Sequence, residues 1–313
     1  MMHRLEFHAM GSRMLAIIDG RDESPPPVLQ QVPLWFEEWE QVLSRFRSDS
    51  ELSRLNLRTG EPVAVSQVLW DVFQTSKEAE GWTGGLVNPL ILDALVYAGY
   101  DRSFDDLTKV PLRSVADPMS TFFATSNISV PTINEILVDE SAHRIHLPRP
   151  TRLDFGGVAK GWSANQAVER LKETGPALVA AGGDIAISGP QFDGELWPIS
   201  VADPFRDGEY LEMLYLGQCG VATSGKDYHR WTRDGIPQHH IIDPRTGLPA
   251  ETDILTATVI APDLPQAEAL AKGILISGSQ AGLDWLDSDD RWEGMLVLEN
   301  GERLDSRNLG KYH

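Results

Sequence analysis

The grouping of strand-like segments limits the folds open to this chain more than any other feature. Three such segments, 177–181, 196–201 and 212–219, follow one another with only turns containing Gly and Asp between them. Strict alternation of strands and helices would indicate a parallel sheet, whereas runs of neighbouring strands favour an α+β fold with antiparallel sheets. Pro198 lies inside the second segment and predicts an edge strand, because proline has no backbone N–H to donate.

The other segments predict a hairpin, several helices and one irregular insertion. Residues 5–19 alternate around Gly11 and predict a hairpin, and 255–261 predicts a late strand. Helical periodicity or helix-capping residues mark four segments: 32–46, a segment that starts at Ser66, 163–173, and 266–277, which Pro265 opens and Gly278 closes. Residues 103–134 contain several prolines and show little periodicity, which indicates an irregular insertion.

The charge balance excludes several classes of partner. The chain has 313 residues, 42% of them hydrophobic, so it can bury a sizeable core. Its formal net charge is −19, with only 27 Lys and Arg residues. A broad nucleic-acid footprint or an anionic membrane surface requires clustered positive charge. We therefore expect no nucleic-acid partner, and a bound phosphate would be held locally by backbone amides and a few cations.

Cysteine content and hydropathy predict the compartment. Cys219 is the single cysteine and cannot form an internal disulfide; it is expected to be a core residue of the strand-like run 214–221. No stretch approaches the roughly 18 consecutive apolar residues of a membrane-spanning helix. The N-terminal sequence lacks a basic and apolar leader. We expect a cytoplasmic protein without membrane insertion.

Residues 154–161 read Asp-Phe-Gly-Gly-Val-Ala-Lys-Gly and predict a phosphate-binding loop. Gly156 and Gly157 let the backbone approach a phosphate closely, Lys160 adds a cation, and the following helix presents unpaired N–H groups to an anion. The spacing fits neither a Walker A loop nor the dinucleotide-binding fingerprint. An ordinary strand-to-helix turn with a nearby lysine is the alternative interpretation.

Three further segments carry candidate functional side chains, and each also has an ordinary structural interpretation. The Gly-Gly-Asp run at 182–184 fits either a tight turn or a second close approach to a ligand. His240, next to the turn at 243–247, is either a general base or a packing residue. Glu268 and Lys272 lie four residues apart and share one helix face, where an exposed ion pair is the simplest interpretation.

Six short blocks follow one another over nearly the whole chain. They are Met10-Gly11-Ser12, 50–56 (Ser-Glu-Leu-Ser-Arg-Leu-Asn), 154–161, 182–184, 222–225 (Ala-Thr-Ser-Gly) and 240–247 (His-Ile-Ile-Asp-Pro-Arg-Thr-Gly). In this order they resemble the ApbE family of FAD:protein FMN transferases. The resemblance implies an α+β, T-fold-like arrangement of antiparallel sheets packed with helices. It also implies a single domain over residues 1–313, with two pseudo-equivalent halves joined near 103–134 as the alternative.

The resemblance further implies an enzyme that binds FAD and cleaves its pyrophosphate with the help of Mg²⁺. It would transfer FMN to a Ser or Thr hydroxyl of an acceptor protein, which the sequence does not identify, and release AMP. Lys160 would neutralise diphosphate charge, and His240 would accept the hydroxyl proton or orient the acceptor. The residues that match FAD contacts of the family are Met10, Phe46, Leu86, Val87, Asn88, Asp154, Lys160 and Ile242.

The resemblance implies metal-binding positions at Gly157, Glu268, Ala271 and Lys272, and two of these four depart from the family pattern. The family has Asp and Thr where this chain has Glu268 and Lys272, and an ammonium group supplies no lone pair for Mg²⁺. Asn88 and Asn165 also stand where the family has acidic residues. We hypothesise that Lys272, paired with Glu268, occupies the place of the metal, and a non-catalytic FAD-binding protein of the same fold is the alternative to the transferase.

Overall fold

The computed structural model describes residues 1–109, 130–233 and 235–313, so most of the predicted insertion at 103–134 lies outside the described residues. The chain folds into two compact units. The first unit contains Met1–Glu38, Val158–Gly225 and Thr252–His313, and the second contains Trp39–Gly157 and Lys226–Glu251. The single domain and the two pseudo-equivalent halves stay predictions.

The strands of the described residues are antiparallel wherever they pair. In chain order they are β1 (Met2–Ala9), β2 (Ser12–Asp19), β3 (Pro62–Ala64), β4 (Leu137–Asp139), β5 (Arg144–His146), β6 (Ala177–Ala181), β7 (Asp184–Ile187), β8 (Trp197–Ala202), β9 (Tyr210–Leu216), β10 (Cys219–Gly225), β11 (Arg230–Arg233), β12 (Ile236–His239), β13 (Ile242–Asp243), β14 (Leu248–Pro249), β15 (Ile254–Ala261), β16 (Glu293–Leu298) and β17 (Arg303–Asp305). The helices are α1 (Val32–Leu43), α2 (Glu51–Asn56), α3 (Gln67–Trp82), α4 (Leu92–Tyr97), α5 (Phe104–Lys109), α6 (Ala159–Leu171), α7 (Leu264–Ser277) and α8 (Ser279–Leu286). Antiparallel sheets together with helices confirm the predicted α+β class.

The first unit is built on an eight-stranded sheet with the order β1, β2, β6, β7, β10, β15, β16, β17. Helix α6 packs on β6 and β7, and helix α7 packs on β10 and β15. Every residue of β15 and of β16 is buried, so the sheet is covered on both faces at these strands. This burial explains the nearly continuous apolar sequence of β15, because neither of its faces meets water.

The two-stranded ribbon of β8 and β9 packs against this sheet. Trp197, Ile199 and Val201 are buried while the residues between them are exposed, which is the period of a half-buried strand. These three side chains belong to the same apolar cluster as Val221 of β10. Because β8 and β9 form a sheet of their own, Pro198 lies in an edge strand as predicted.

The strand predicted at 212–219 is wrong at its C-terminal end. Strand β9 ends at Leu216 and β10 starts at Cys219, and the two strands belong to different sheets. A continuous apolar run shows that both strands are buried, but it does not show where the chain leaves one sheet for another. Cys219 is 9% exposed, and burial raises the pKa of its thiol to about 12, which confirms the predicted core position.

The second unit combines a three-stranded sheet, in the order β3, β5, β4, with α2 to α5 and the hairpins β11–β12 and β13–β14. Ser66 caps α3 as predicted, because its hydroxyl accepts a hydrogen bond from Leu69 N at 3.3 Å. Asn56 at the end of α2 donates to Leu153 O at 2.8 Å and accepts from Leu153 N at 2.7 Å. This pair of bonds fixes the chain immediately before Asp154.

Helices α1 and α6 differ in their bounds from the predicted helices. Helix α1 stops at Leu43 rather than at residue 46, and α6 runs from Ala159 to Leu171 rather than from residue 163 to residue 173. The earlier start places Lys160 inside the first turn of α6. Helix α7 begins with Pro265 in its first turn and ends before Gly278, as predicted. Among the helices of the described residues, none combines the length and the apolar composition needed to cross a membrane.

Candidate functional site

Two hairpin turns lie side by side at one end of the first unit's sheet. Met10 and Gly11 connect β1 to β2, and Gly182 and Gly183 connect β6 to β7. All four residues have positive φ angles, of 49°, 68°, 67° and 106°, which is typical of two-residue hairpin turns. The turns are adjacent because β2 pairs with β6 and Gly182 N donates to Arg13 O at 2.9 Å.

Lys160 lies beside the turn between β6 and β7. Its Nζ atom is 3.9 Å from the position that a Cβ atom would take on Gly182, and Ser12 Oγ is 3.0 Å from the same position. The Lys160 side chain is half-buried. Three of the six sequence blocks therefore meet here, and a cation next to glycine backbone suits an anionic ligand.

Asp184 is buried directly after this turn. Its Oδ1 atom accepts a hydrogen bond from Thr223 N at 3.0 Å. Burial, and then repulsion from Glu268, raises its pKa from 3.8 to about 6, while attraction by Lys160 and Lys272 acts in the opposite direction. The Gly-Gly-Asp block thus forms a tight turn and also contributes a carboxyl group to a charged cluster.

Glu268 and Lys272 form a buried ion pair, so the predicted exposed pair is wrong. Their side chains are 1% and 17% exposed. Glu268 Oε1 accepts from Lys272 Nζ at 3.0 Å, and Glu268 Oε2 accepts from Gly161 N at 3.0 Å. The second bond places a negative charge at the N-terminal turn of α6, which is favourable. A Cβ atom on residue 161 would lie 2.4 Å from Glu268 Oε2, so only glycine leaves room for the carboxylate.

Positions 268 and 272 do not fit a divalent metal ion. Both carboxylate oxygens of Glu268 accept hydrogen bonds, and the ammonium of Lys272 next to one of them repels a cation. Within the three described ranges, no group of three or more His, Cys, Asp or Glu side chains is placed to hold a metal. Ala271 is fully buried in α7. The hydrogen-bonded carboxylate of Glu268 and the ammonium group of Lys272 are therefore a poor pair of ligands for Mg²⁺.

Arg45 is the ion-pair partner of Asp154 in the second unit, and the sequence did not predict it as a site residue. Arg45 Nε lies 2.5 Å from Asp154 Oδ2, and the two side chains are 8% and 6% exposed. The guanidinium carbon lies 4.2 Å from the Phe46 ring centroid and 4.8 Å from that of Tyr100. Its Nη2 atom is buried without a hydrogen-bond partner among the described residues. Asp154 Oδ1 accepts from Gly156 N at 2.8 Å, so this carboxylate also orders the Gly-rich loop.

The segment 86–88 leads into the neighbourhood of the Gly-rich loop. Asn88 is buried and caps the short helical turn that follows it, because its Oδ1 atom accepts from Leu90 N at 2.9 Å. Asp154 N donates to Pro89 O at 2.8 Å, so the segment and the loop are joined directly. Asn88 Nδ2 also donates to Pro131 O at 2.8 Å, a hydrogen bond that an ionised carboxylate could not make, so the amide has a structural role of its own.

His240 and Ile242 lie in different surroundings within the second unit. The ring centroid of His240 is 4.9 Å from that of His229, edge to face, and the His229 ring is 4.3 Å from the ring of Phe104. Ile242 is 2% exposed, and its apolar cluster borders Tyr100. The second unit therefore brings Ile242 towards the aromatic group around Arg45, whereas His240 belongs to a histidine pair.

The chain is similar to proteins of the ApbE family. The ApbE family matches residues 10–296. The FAD:protein FMN transferase of Treponema pallidum is 30% identical over 268 residues, which cover 80% of this chain and 71% of that protein. The ApbE protein of Thermotoga maritima superposes with a TM-score of 0.85 at 25% identity, covering 100% of this chain and 99% of that one. The flavin transferase ApbE of Vibrio cholerae has the same fold, with a TM-score of 0.80 at 22% identity and coverage of 100% and 99%. The chain therefore belongs to the ApbE family.

Proposed function

We propose that this protein is an FAD:protein FMN transferase, which moves FMN from FAD to a Ser or Thr hydroxyl of an acceptor protein and releases AMP. Membership of the ApbE family supports this activity. The observation that carries the proposal is the half-buried Lys160 beside the turn of Gly182 and Gly183. A cation next to a backbone that a ligand can approach closely is what a diphosphate requires.

The residues that match the FAD contacts of the family are proposed to keep that role. An aromatic side chain such as Phe46, which is 45% exposed, offers a face on which a flavin ring can stack. Asp154 and Asn88 offer polar atoms close to one another in the chain's fold. The full set of proposed contacts is Met10, Phe46, Leu86, Val87, Asn88, Asp154, Lys160 and Ile242.

The proposed reaction is a phosphoryl-type transfer between two oxygen atoms. The acceptor hydroxyl oxygen forms a bond to the phosphorus of FMN, and the bond from that phosphorus to the oxygen shared with AMP breaks. His240 accepts the hydroxyl proton, and AMP leaves with the shared oxygen. Lys160 neutralises the negative charge of the diphosphate as this bond breaks.

The test is transfer of FMN to a peptide that carries a Ser or Thr acceptor motif. We expect a covalent mass increase of the peptide by one FMN and the release of one AMP for each modified peptide. Lys160→Ala and His240→Ala should each reduce the rate by about a hundredfold or more. Lys172→Ala is the control, because this lysine is exposed, and it should leave the rate unchanged.

Two other outcomes of this experiment have distinct meanings. FAD binding without AMP release or peptide modification would favour the non-catalytic FAD-binding protein. Absence of FAD binding would contradict the proposed function. The acceptor and the cytoplasmic location stay predictions, which cell fractionation followed by detection of flavin-labelled proteins would test.

A further inference from the structure

We propose that the ammonium group of Lys272 takes the place of a divalent cation, so that this chain binds the diphosphate of FAD without Mg²⁺. The inference rests on the proposed function and concerns how the same site neutralises charge. It follows from the position of Lys272, from the engagement of Glu268, and from the balance of charges within the first unit.

The position of Lys272 is fixed by a buried partner. Glu268 is 1% exposed and holds Lys272 Nζ at 3.0 Å through its Oε1 atom. Its Oε2 atom accepts a hydrogen bond from Gly161 N, and Gly161 directly follows Lys160. One carboxylate therefore connects the second lysine to the helix turn that carries the first, and the Lys272 side chain keeps 17% exposure for contact with a ligand.

The same arrangement works against a metal ion at these positions. Mg²⁺ requires oxygen ligands at about 2.0–2.1 Å in near-octahedral geometry and takes them mainly from carboxylates, carbonyls and water. Glu268 has both oxygens engaged, and an ammonium at 3.0 Å from one of them repels a divalent cation. Lys272 thus supplies positive charge to the site. It also repels Mg²⁺, which would supply that charge in its absence.

The charge balance explains why a single lysine is sufficient to remove the requirement for a divalent cation. The carboxyl group of Asp184 interacts electrostatically with the carboxyl group of Glu268 and with the ammonium groups of Lys160 and Lys272. The cluster therefore contains two carboxyl groups and two ammonium groups. Replacing Lys272 with a neutral residue leaves one ammonium group facing two carboxyl groups, an arrangement that repels a diphosphate. A divalent cation would correct this deficit, so a metal requirement should appear when the lysine is removed.

The experiment measures the dissociation constant of FAD with the full-length protein in EDTA and in Mg²⁺. The unmodified protein should bind FAD with the same affinity in both buffers, within about twofold. Lys272→Thr should weaken binding in EDTA by about tenfold or more, because one of two positive charges is lost. Lys172→Thr removes an exposed lysine that is also paired to a glutamate, and it should change neither value.

A double variant makes the test specific to the metal. Glu268→Asp combined with Lys272→Thr provides oxygen ligands without the ammonium, so Mg²⁺ should strengthen its FAD binding by about tenfold or more. Mg²⁺ should also raise the thermal unfolding midpoint of this variant while leaving that of the unmodified protein unchanged. This second measurement needs neither FAD nor catalysis.

Each contrary result has a defined consequence. FAD binding by the unmodified protein that occurs only with Mg²⁺ would overturn the inference and leave the proposed function standing. Unchanged binding by Lys272→Thr in EDTA would also overturn it. Absence of FAD binding in both buffers would overturn the inference and the proposed function together.

Discussion

Arg45 and Asp154 form an ion pair that is almost completely removed from water. A buried charge that loses its partner costs about 3–5 kcal/mol, because the remaining charge is neither solvated nor paired. Arg45→Met should therefore lower the free energy of unfolding by about that amount. Chemical denaturation followed by circular dichroism measures the change.

Arg102 provides the control for this prediction. It is paired with Asp101, but both side chains are more than 40% exposed, at 42% and 43%. Exposed pairs contribute about 0–1 kcal/mol, so Arg102→Met should have little effect. Equal decreases in the free energy of unfolding of the two variants would show that burial does not increase the contribution of the Arg45 pair to stability.

Because of Asp184, the free energy of unfolding should decrease as the pH rises, which is opposite to the usual effect of an ion-paired carboxyl group. Burial and repulsion from Glu268 raise its pKa from 3.8 to about 6, against the attraction of the two lysines. The folded protein therefore binds the proton more tightly than the unfolded chain, and this contribution to stability is lost as the pH rises through that window. Asp184→Asn should be stabilised relative to the unmodified protein by on the order of 3 kcal/mol at neutral pH, with little or no gain near pH 4.

Urea unfolding of both proteins at the two pH values checks this prediction. The amide oxygen of asparagine can still accept the hydrogen bond from Thr223 N, so the substitution mainly removes the ionisable group. A loss of stability that is equal at both pH values would contradict a raised pKa and would indicate damage to packing instead.

The position of helix α7 depends on a glycine in the neighbouring strand β10. A Cβ atom on Gly220 would lie 2.2 Å from Leu264 N and 2.3 Å from Leu264 Cα, which are backbone atoms that cannot move aside alone. Gly220→Ala should therefore destabilise the protein by about 3 kcal/mol or more. Gly310→Ala is a matched control, since a Cβ atom there meets no heavy atom within 4 Å among the described residues. Thermal unfolding should separate the two variants, and similar midpoints would mean that α7 can shift to accept the methyl group.

Element boundaries could be predicted where the signals are local. Pro265 and Gly278 mark the ends of α7, and Ser66 marks the start of α3, because each acts through the backbone of its own neighbours. The burial of Glu268 could not be predicted in this way. It depends on Gly161, which is 107 positions away along the chain, and spacing within one helix contains no information on such a partner.

Arg45 shows the same limit at the candidate site. The resemblance to a family identified Phe46 and Asp154, but an arginine next to an aromatic residue has no local pattern that assigns it to a distant carboxylate. Only the folding of the second unit brings Arg45 Nε to 2.5 Å from Asp154 Oδ2. The glycines of the two hairpin turns were predictable because their backbone conformation is fixed by the turn to which they belong.

FAD should raise the free energy of unfolding of the whole protein by an amount that depends on its concentration relative to its dissociation constant. A ligand at 100 times its dissociation constant adds about 2.7 kcal/mol to the folded state. We expect FAD to raise the unfolding midpoint measured by calorimetry more than riboflavin at the same concentration, because riboflavin has no diphosphate for Lys160 to contact. Lys160→Ala should reduce the difference between the two ligands. Equal midpoints with FAD and riboflavin would show that the diphosphate contributes nothing.

Three separate stretches of the chain build the eight-stranded sheet in the order in which they occur. Met1–Glu38 supplies β1 and β2, Val158–Gly225 supplies β6, β7 and β10, and Thr252–His313 supplies β15, β16 and β17. A ribosome synthesises the chain from its N-terminus. Strand β10 therefore lacks its pairing partner β15 while residues 226–253 are made. A nascent chain halted there would present a bare strand edge, which readily pairs with other chains. Glu268 and Lys272 arrive with the last stretch, so the complete charged cluster forms only when synthesis is nearly finished.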